Sequence, residues 1–253
     1  MIQNPWLRLS VCALVLAIAD TGHAQREQLS FVGEAFNDSG NLIYTEHHQF
    51  TGTCTDRRWR PEDQSVQYYW PGEATPFATK KLRYPEALTR PQVEFSLAEL
   101  DASMTITTDD AGGALDIQWW SESRQIKQFL VPTKPDLVVD AGFDQLVRER
   151  WDELHNGASV EFRFLAPTRG TDFGFQLAPE SPSELDFPLV ITVRPSGLIT
   201  RFLVKPITLG YNDTGLLSYY SGLTNIPRNR DGDNYSAEIL YTTTQRPPCP
   251  LIP

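Results

Sequence analysis

Few residues in this 253-residue chain are suited to chemistry. Of its four histidines, His23 falls in a segment that reads as an export leader, which leaves His47, His48 and His155. Glu46 beside His47 has the composition of an acid/base pair, and with Asp140 these are the candidate groups for proton transfer. The pattern argues against that use. Successive strand residues point to opposite faces, so Glu46 and His47 diverge, and His47 and His48 cannot share a metal. Neither histidine has a His, Cys or carboxylate at zinc-ligand spacing. The run Asn229-Arg230-Asp231-Gly232-Asp233-Asn234 resembles a calcium loop in part, but Arg230 interrupts the ligand series and Glu238 comes too early. Ser196-Gly197 and Ser221-Gly222 read as turns, with no Gly-x-Ser-x-Gly elbow, and no phosphate-binding glycine motif occurs. The residues therefore assign no catalytic site, no cofactor and no metal.

Aromatic pairs are the more informative class. Tyr68-Tyr69-Trp70, Trp119-Trp120 and Tyr219-Tyr220 each place neighbouring rings on both faces of a strand. One member of each set is expected in the core, and in a curved sheet the other can line a concave pocket. Cys54 and Cys249 are the two cysteines beyond the leader, and in an oxidising compartment they form the candidate disulfide. That bridge would tie down the tail Arg246-Pro247-Pro248-Cys249-Pro250. Asn37, Asn212 and Asn234 open Asn-x-Ser/Thr triplets, which matter only in a glycosylating host.

The elements that carry these residues read mostly as short strands. Alternation or short apolar runs mark 31–36, 42–50, 66–70, 77–84, 93–97, 104–108, 115–120 and 125–131, and then 159–165, 173–177, 189–194, 198–204, 207–211, 216–220 and 237–243. Turn residues at 37–41, 109–113 and 212–215 join neighbouring runs as hairpins. The charged stretch 56–65 reads as a loop. One helix is expected over 140–156, capped by Asp140 and ended by Gly157. Its apolar stripe is Phe143, Leu146, Val147, Trp151 and Leu154, and Asp144 precedes Arg148 by the four residues of an ion pair. Consecutive strands with one helical insertion imply antiparallel pairing.

Residues 1–24 form a secretory signal. Arg8 gives the positive start, 11–18 the apolar run, and Gly22 and Ala24 the small residues before a cleavage between Ala24 and Gln25. Asp20 breaks the run well short of a membrane span, and Cys12 lies inside the apolar core rather than after it, as a lipidated cysteine would. The working protein is then 25–253, one β-rich domain with a proline-rich tail, placed in the periplasm or outside the cell. The net charge of −10 disfavours nucleic acid and anionic membrane surfaces as partners. No later stretch is long and apolar enough to span a membrane as a helix.

The segment Asp140-Ala-Gly-Phe-Asp-Gln-Leu-Val-Arg-Glu-Arg-Trp-Asp-Glu-Leu154, running on to Gly157, resembles an uncharacterised group of exported Gram-negative bacterial proteins. So do Phe164-Leu-Ala-Pro167, Pro206-Ile-Thr-Leu-Gly-Tyr211 and Tyr220-Ser-Gly-Leu-Thr-Asn-Ile226. In layout the chain is similar to the half-barrels of periplasmic lipoprotein carriers. That resemblance implies a curved antiparallel sheet or partly open barrel with one principal helix packed against it. The functional expectation is a non-catalytic binder of an apolar ligand such as a lipid or acyl chain. The alternatives are a structural or interaction protein of the envelope, with an envelope protein as partner, and, third, a hydrolase-type enzyme.

Overall fold

The computed structural model describes residues 26–85, 87–109, 112–121, 124–181, 183–197, 206–228 and 233–253. The leader with its Ala24–Gln25 junction, the strand expected at 198–204 and the centre of the 229–234 loop lie outside the described residues.

The first half of the chain runs through β1 (Glu27–Phe36), β2 (Leu42–Thr55), β3 (Arg58–Tyr69), β4 (Ala78–Arg83), β5 (Gln92–Leu97), β6 (Ala102–Thr108), β7 (Ala114–Ser121), β8 (Arg124–Pro132) and β9 (Leu137–Val138). Helices α1 (Gly142–Glu149) and α2 (Trp151–His155) follow. The second half is β10 (Val160–Ala166), β11 (Thr171–Pro179), β12 (Leu189–Pro195), β13 (Ile207–Tyr211), β14 (Leu217–Pro227) and β15 (Asn234–Gln245). All fifteen join one curved, unclosed sheet, in the order β8-β7-β6-β5-β4-β3-β2-β1-β15-β14-β13-β12-β11-β10-β9. The first and last strands therefore meet in the middle of the sheet, where β1 pairs with β15. The middle of the chain supplies both edges. Every ladder is antiparallel except that of β9 with β10.

Residues 133–136 connect the two edges, and that length of chain spans less than about 18 Å. The sheet must bend until its edges approach, and contacts at the seam record it. Lys134 Nζ donates to Asp172 Oδ2 at 2.7 Å, and the Phe129 ring lies against Gly170. The curl wraps α1. Asp140, two residues before it, binds Lys80 on β4, while Arg148 Nε donates to the Gly215 carbonyl between β13 and β14 at 2.9 Å. One helix thus touches both wings of the sheet.

The expected hairpins form at β1–β2, β6–β7 and β13–β14. At the last, Asn212 Oδ1 accepts from the Thr214 and Leu216 amides and shapes the turn. The charged loop expected at 56–65 is instead mostly strand. Asp56 and Arg57 alone make the turn, with φ of 51° and 62°, and β3 starts at Arg58. Its charges occupy the wet face, while Trp59, Pro61, Gln64, Val66 and Tyr68 face inward.

The helix also differs from expectation. It starts at Gly142, and Asp140 sits before it in the left-handed region at φ 45°, outside the cap position. The helix breaks at Arg150 into α1 and α2. The apolar stripe faces the core as read, with Val147 and Leu154 fully buried. On α1 the polar residues Asp144, Gln145 and Arg148 are buried too, because the sheet closes over them.

Candidate functional site inside the curved sheet

Burying both sides of α1 brings its polar residues into contact with the inner face of the sheet. Alternation along β2 turns Tyr44, Glu46 and His48 inward and leaves His47 exposed, its ring 4.9 Å from that of Tyr69. Glu46 and His48, two residues apart on one face, meet at 2.9 Å between Oε2 and Nε2. The Gln64 amide of β3 donates to His48 Nδ1 at 3.2 Å, and the Tyr84 hydroxyl donates to Gln64 Oε1 at 2.7 Å. The Tyr241 hydroxyl of β15 donates to Glu46 Oε2 at 3.1 Å. With Nδ1 accepting, the ring proton belongs on Nε2, directed at the carboxylate. Phe31 stacks on the His48 ring at 4.5 Å, and Tyr241 meets it edge-on at 5.8 Å. Among the described residues, this connected set joins four strands and the loop after β4.

Two buried ion pairs adjoin it. Lys80 Nζ binds both Asp140 oxygens at 2.8 and 2.9 Å, and lies 5.2 Å from the Phe95 ring centre. The Asp140 carboxylate also accepts from the Ala141 amide at 2.7 Å, which holds the backbone in its left-handed turn. On α1, Arg148 Nη2 lies 2.8 Å from Asp144 Oδ2, the pair that the four-residue spacing implies. Burial pushes the Asp144 carboxyl up, against the opposing pull of Arg148, the Tyr211 hydroxyl and His48. Burial also pushes the Tyr44, Tyr68, Tyr84, Tyr211 and Tyr241 hydroxyls well above their ordinary value. These phenols stay neutral in any ordinary solution, and the Tyr84 and Tyr241 hydroxyls act as hydrogen-bond donors.

The three sequence candidates for proton transfer do not converge. Glu46 serves His48, His47 faces solvent, and Asp140 is held by Lys80. His155 is exposed on α2 and stacks on Trp151. Both nitrogens of His48 are engaged by protein, so a proton could reach a substrate only after the network had broken. Among the described residues, no three His, Cys, Asp or Glu side chains gather as a metal site would require. The Glu46–His48 pair is the grouping that sequence reasoning missed. Its signal is the spacing of two on a strand, which puts both side chains on one face, whereas the adjacent Glu46 and His47 diverge.

The aromatic sets divide between faces as expected. Tyr68 is buried while Tyr69 faces outward, and Trp70 stacks on Phe77 at 3.8 Å. Trp119 and Tyr220 pack against the core, while Trp120 is exposed and Tyr219 bonds Glu238 on the outside. The inward rings fill the interior by packing on one another. Two open grooves mark the exterior. One, of about 370 Å³, runs over Gln28, Gln49, Asp63, Lys81, Arg83 and Gln245. The other, of about 430 Å³, lies between the end of α2 and Glu180, Phe187 and Val190.

Cys54 and Cys249 form a disulfide across 195 residues, with Cα atoms 6.0 Å apart. It fixes the tail over one end of the sheet. There the Trp59 amide donates to the Pro250 carbonyl at 2.8 Å, and Leu251 joins Leu29, Phe31, Phe50, Trp59 and Leu216 in an apolar cluster.

No family model matches the chain, and no curated protein is detectably similar to it in sequence. Among solved structures, it is similar to a β-barrel-like protein of the domain of unknown function DUF1849 from Brucella abortus, at TM-score 0.39 and 5% identity over 88% of this chain and 97% of that one. It is also similar to a DUF1329 family protein from Desulfovibrio piger, at TM-score 0.28 and 11% identity over 87% and 85% of the two chains. A putative outer membrane lipoprotein-sorting protein domain from Vibrio parahaemolyticus gives TM-score 0.28 and 7% identity over 88% and 85%.

Proposed function

We propose that this is a non-catalytic binding protein of the cell envelope, which makes its contact through the outer face of the sheet at the β7–β8 edge. The observation that carries this reading is where apolar side chains remain in water. Among the described residues, five large apolar side chains are exposed, and three of them, Ile126 at 70%, Leu130 at 64% and Trp120 at 37%, belong to this one hairpin. A concentration of this kind beside an open sheet edge marks an interaction surface. The interior supports the same reading in part, because Glu46 with His48, Lys80 with Asp140 and Asp144 with Arg148 are engaged with one another. An exported address is supported by the leader pattern and by a disulfide, a bond that persists in oxidising compartments.

Photo-crosslinking in living cells tests the reading. A photoreactive residue replacing Gln118, exposed on β7, should give a discrete adduct, while one replacing Glu94, exposed on β5, should not. The same pattern from both positions, or none from either, counts against it.

A second reading rests on the apolar cluster beneath the tail. Leu29, Phe31, Phe50, Trp59 and Leu216 are sealed by a short strap rather than by an element of the sheet. A lipid or acyl chain could take the place of that strap. Mass spectrometry of gently purified protein should then show a retained lipid, and delipidated protein should take up a fluorescent fatty acid. If neither occurs, with the disulfide intact or reduced, this second reading fails.

A further inference from the structure

We propose that the protein pairs with a second copy of itself, edge to edge, through β8. This inference rests on the contact surface just proposed and names its occupant. Among the described residues, β8 has a ladder partner on one side only, β7. Unpaired strand N–H and C=O groups are best satisfied by another strand, so what fits there is an extended segment. The inner face of this edge is already used, since Val131 is buried and Phe129 lies on Gly170. The outer face is what remains, and it is made by Ile126, Gln128 and Leu130, alternate residues of one row.

That row is symmetric about Gln128. An antiparallel pair of identical strands has a two-fold axis, and an axis at Gln128 sets Ile126 opposite Leu130 of the partner subunit, and Leu130 opposite Ile126 of the partner subunit. The four most exposed apolar side chains of the two edges would then form two cross-strand contacts. Trp120 borders this row from β7, between the paired positions Trp119↔Lys127 and Ser121↔Arg124. At the other end Asp116 accepts from the Gln128 amide at 3.1 Å, which satisfies the polar group at the centre without a partner. Charge does not drive the pairing: β8 carries Arg124 and Lys127 in both copies, so like charges approach across the axis and the apolar row supplies the attraction. Lys127 lies opposite Trp119 on the inner side of the sheet, away from the apolar row.

The experiment combines mass and cross-linking on the mature full-length protein. Sedimentation velocity should give twice the chain mass at micromolar concentration. The double variant Ile126→Lys, Leu130→Lys should give a single chain mass with an unchanged far-ultraviolet spectrum and melting point. Gln128→Cys adds one free thiol on the expected axis, so mild oxidation with diamide should yield a covalent dimer. Glu94→Cys, exposed on β5, should not. A single chain mass for the unaltered protein overturns the proposal. So does a dimer that survives the double lysine change and is not trapped through Gln128→Cys, since it would use another surface. If the unaltered protein is monomeric yet still gives a discrete adduct from the Gln118 position, self-pairing is wrong while the contact surface stands.

Discussion

Two neighbouring histidines show how the fold divides labour at single residues. His47 faces water, while His48 is enclosed by Phe31, Tyr241, Glu46 and Gln64. Replacing His48 with alanine leaves the Gln64 amide and the Glu46 carboxylate short of a buried partner, at a cost of about 3 kcal/mol. His47→Ala should fall within about 0.5 kcal/mol of the unaltered protein, as surface changes do. Urea denaturation midpoints of the two variants check this contrast, and equal losses would place both histidines on the same footing. Asp172 carries the second prediction. Burial alone raises its carboxyl, but hydrogen bonds from Lys134 and Arg163, and their charges, outweigh it and hold the group below the ordinary 3.8. The folded state therefore binds this proton less tightly than the unfolded chain does. Its stabilising effect is complete above the ordinary value and fades as the pH falls through it toward the lowered one. Asp172→Asn should melt below the unaltered protein at neutral pH, and the two melting temperatures should converge as the pH drops past that window. A gap that stays constant with pH would assign the loss to packing alone.

At the scale of elements, legibility followed how local the determining force was. Strands with regular alternation, such as β10 with Val160 and Phe162 inward, were readable because the period is written in a few residues. The first half of β3 was hidden because its exposed positions are Arg58 and Arg60, whose charge outweighed the inward Trp59 and Pro61. The turn before it uses Asp56 and Arg57 at positive φ, with no glycine to announce it. The helix was legible as a helix, but its burial on both sides was not. Asp144 and Arg148 read as an ion pair from their spacing of four, and only the curl of the sheet, a long-range property, puts them inside. The tightest point of that enclosure is Gly142, where an added Cβ would stand 2.1 Å from the Thr89 carbonyl oxygen. Backbone cannot yield there as a flexible side chain would. Gly142→Ala should therefore destabilise by about 2 kcal/mol, despite alanine's better helix propensity. Gly157→Ala, at φ 86° with open space around it, isolates the cost of left-handed backbone for comparison. Thermal unfolding of both variants separates the two effects, and a stabilised Gly142→Ala would mean that α1 shifts freely within the sheet.

The molecule is a sheet whose first and last strands meet at its centre and whose edges come from the middle of the chain, an arrangement in which closure has to be imposed. Pairing β1 with β15 joins residues more than two hundred positions apart, which no local pattern announces. The disulfide acts beside that junction. Cys54 lies at the far end of β2, the strand next to β1, and Cys249 lies just beyond β15. The bridge therefore spans the same long loop that β1–β15 pairing must close, and shortens that search in the unfolded chain. On the chain-entropy account a loop of 195 residues corresponds to about 5 kcal/mol. It also has a local role, since it holds Leu251 and Pro250 over Trp59. The two roles are separable. Cys54→Ser with Cys249→Ser should lower the unfolding free energy by several kcal/mol and make the tail sensitive to proteases under native conditions. Truncation after Gln245 removes the strap and the bridge together. If the tail's contacts matter beyond the covalent link, the truncated chain should be less stable than the double serine variant, with Trp59 more accessible to an aqueous fluorescence quencher. Equal stability of the two would reduce the tail to a carrier for Cys249. A double serine variant as stable as the unaltered protein would mean that the meeting of β1 and β15 is secured by the sheet alone.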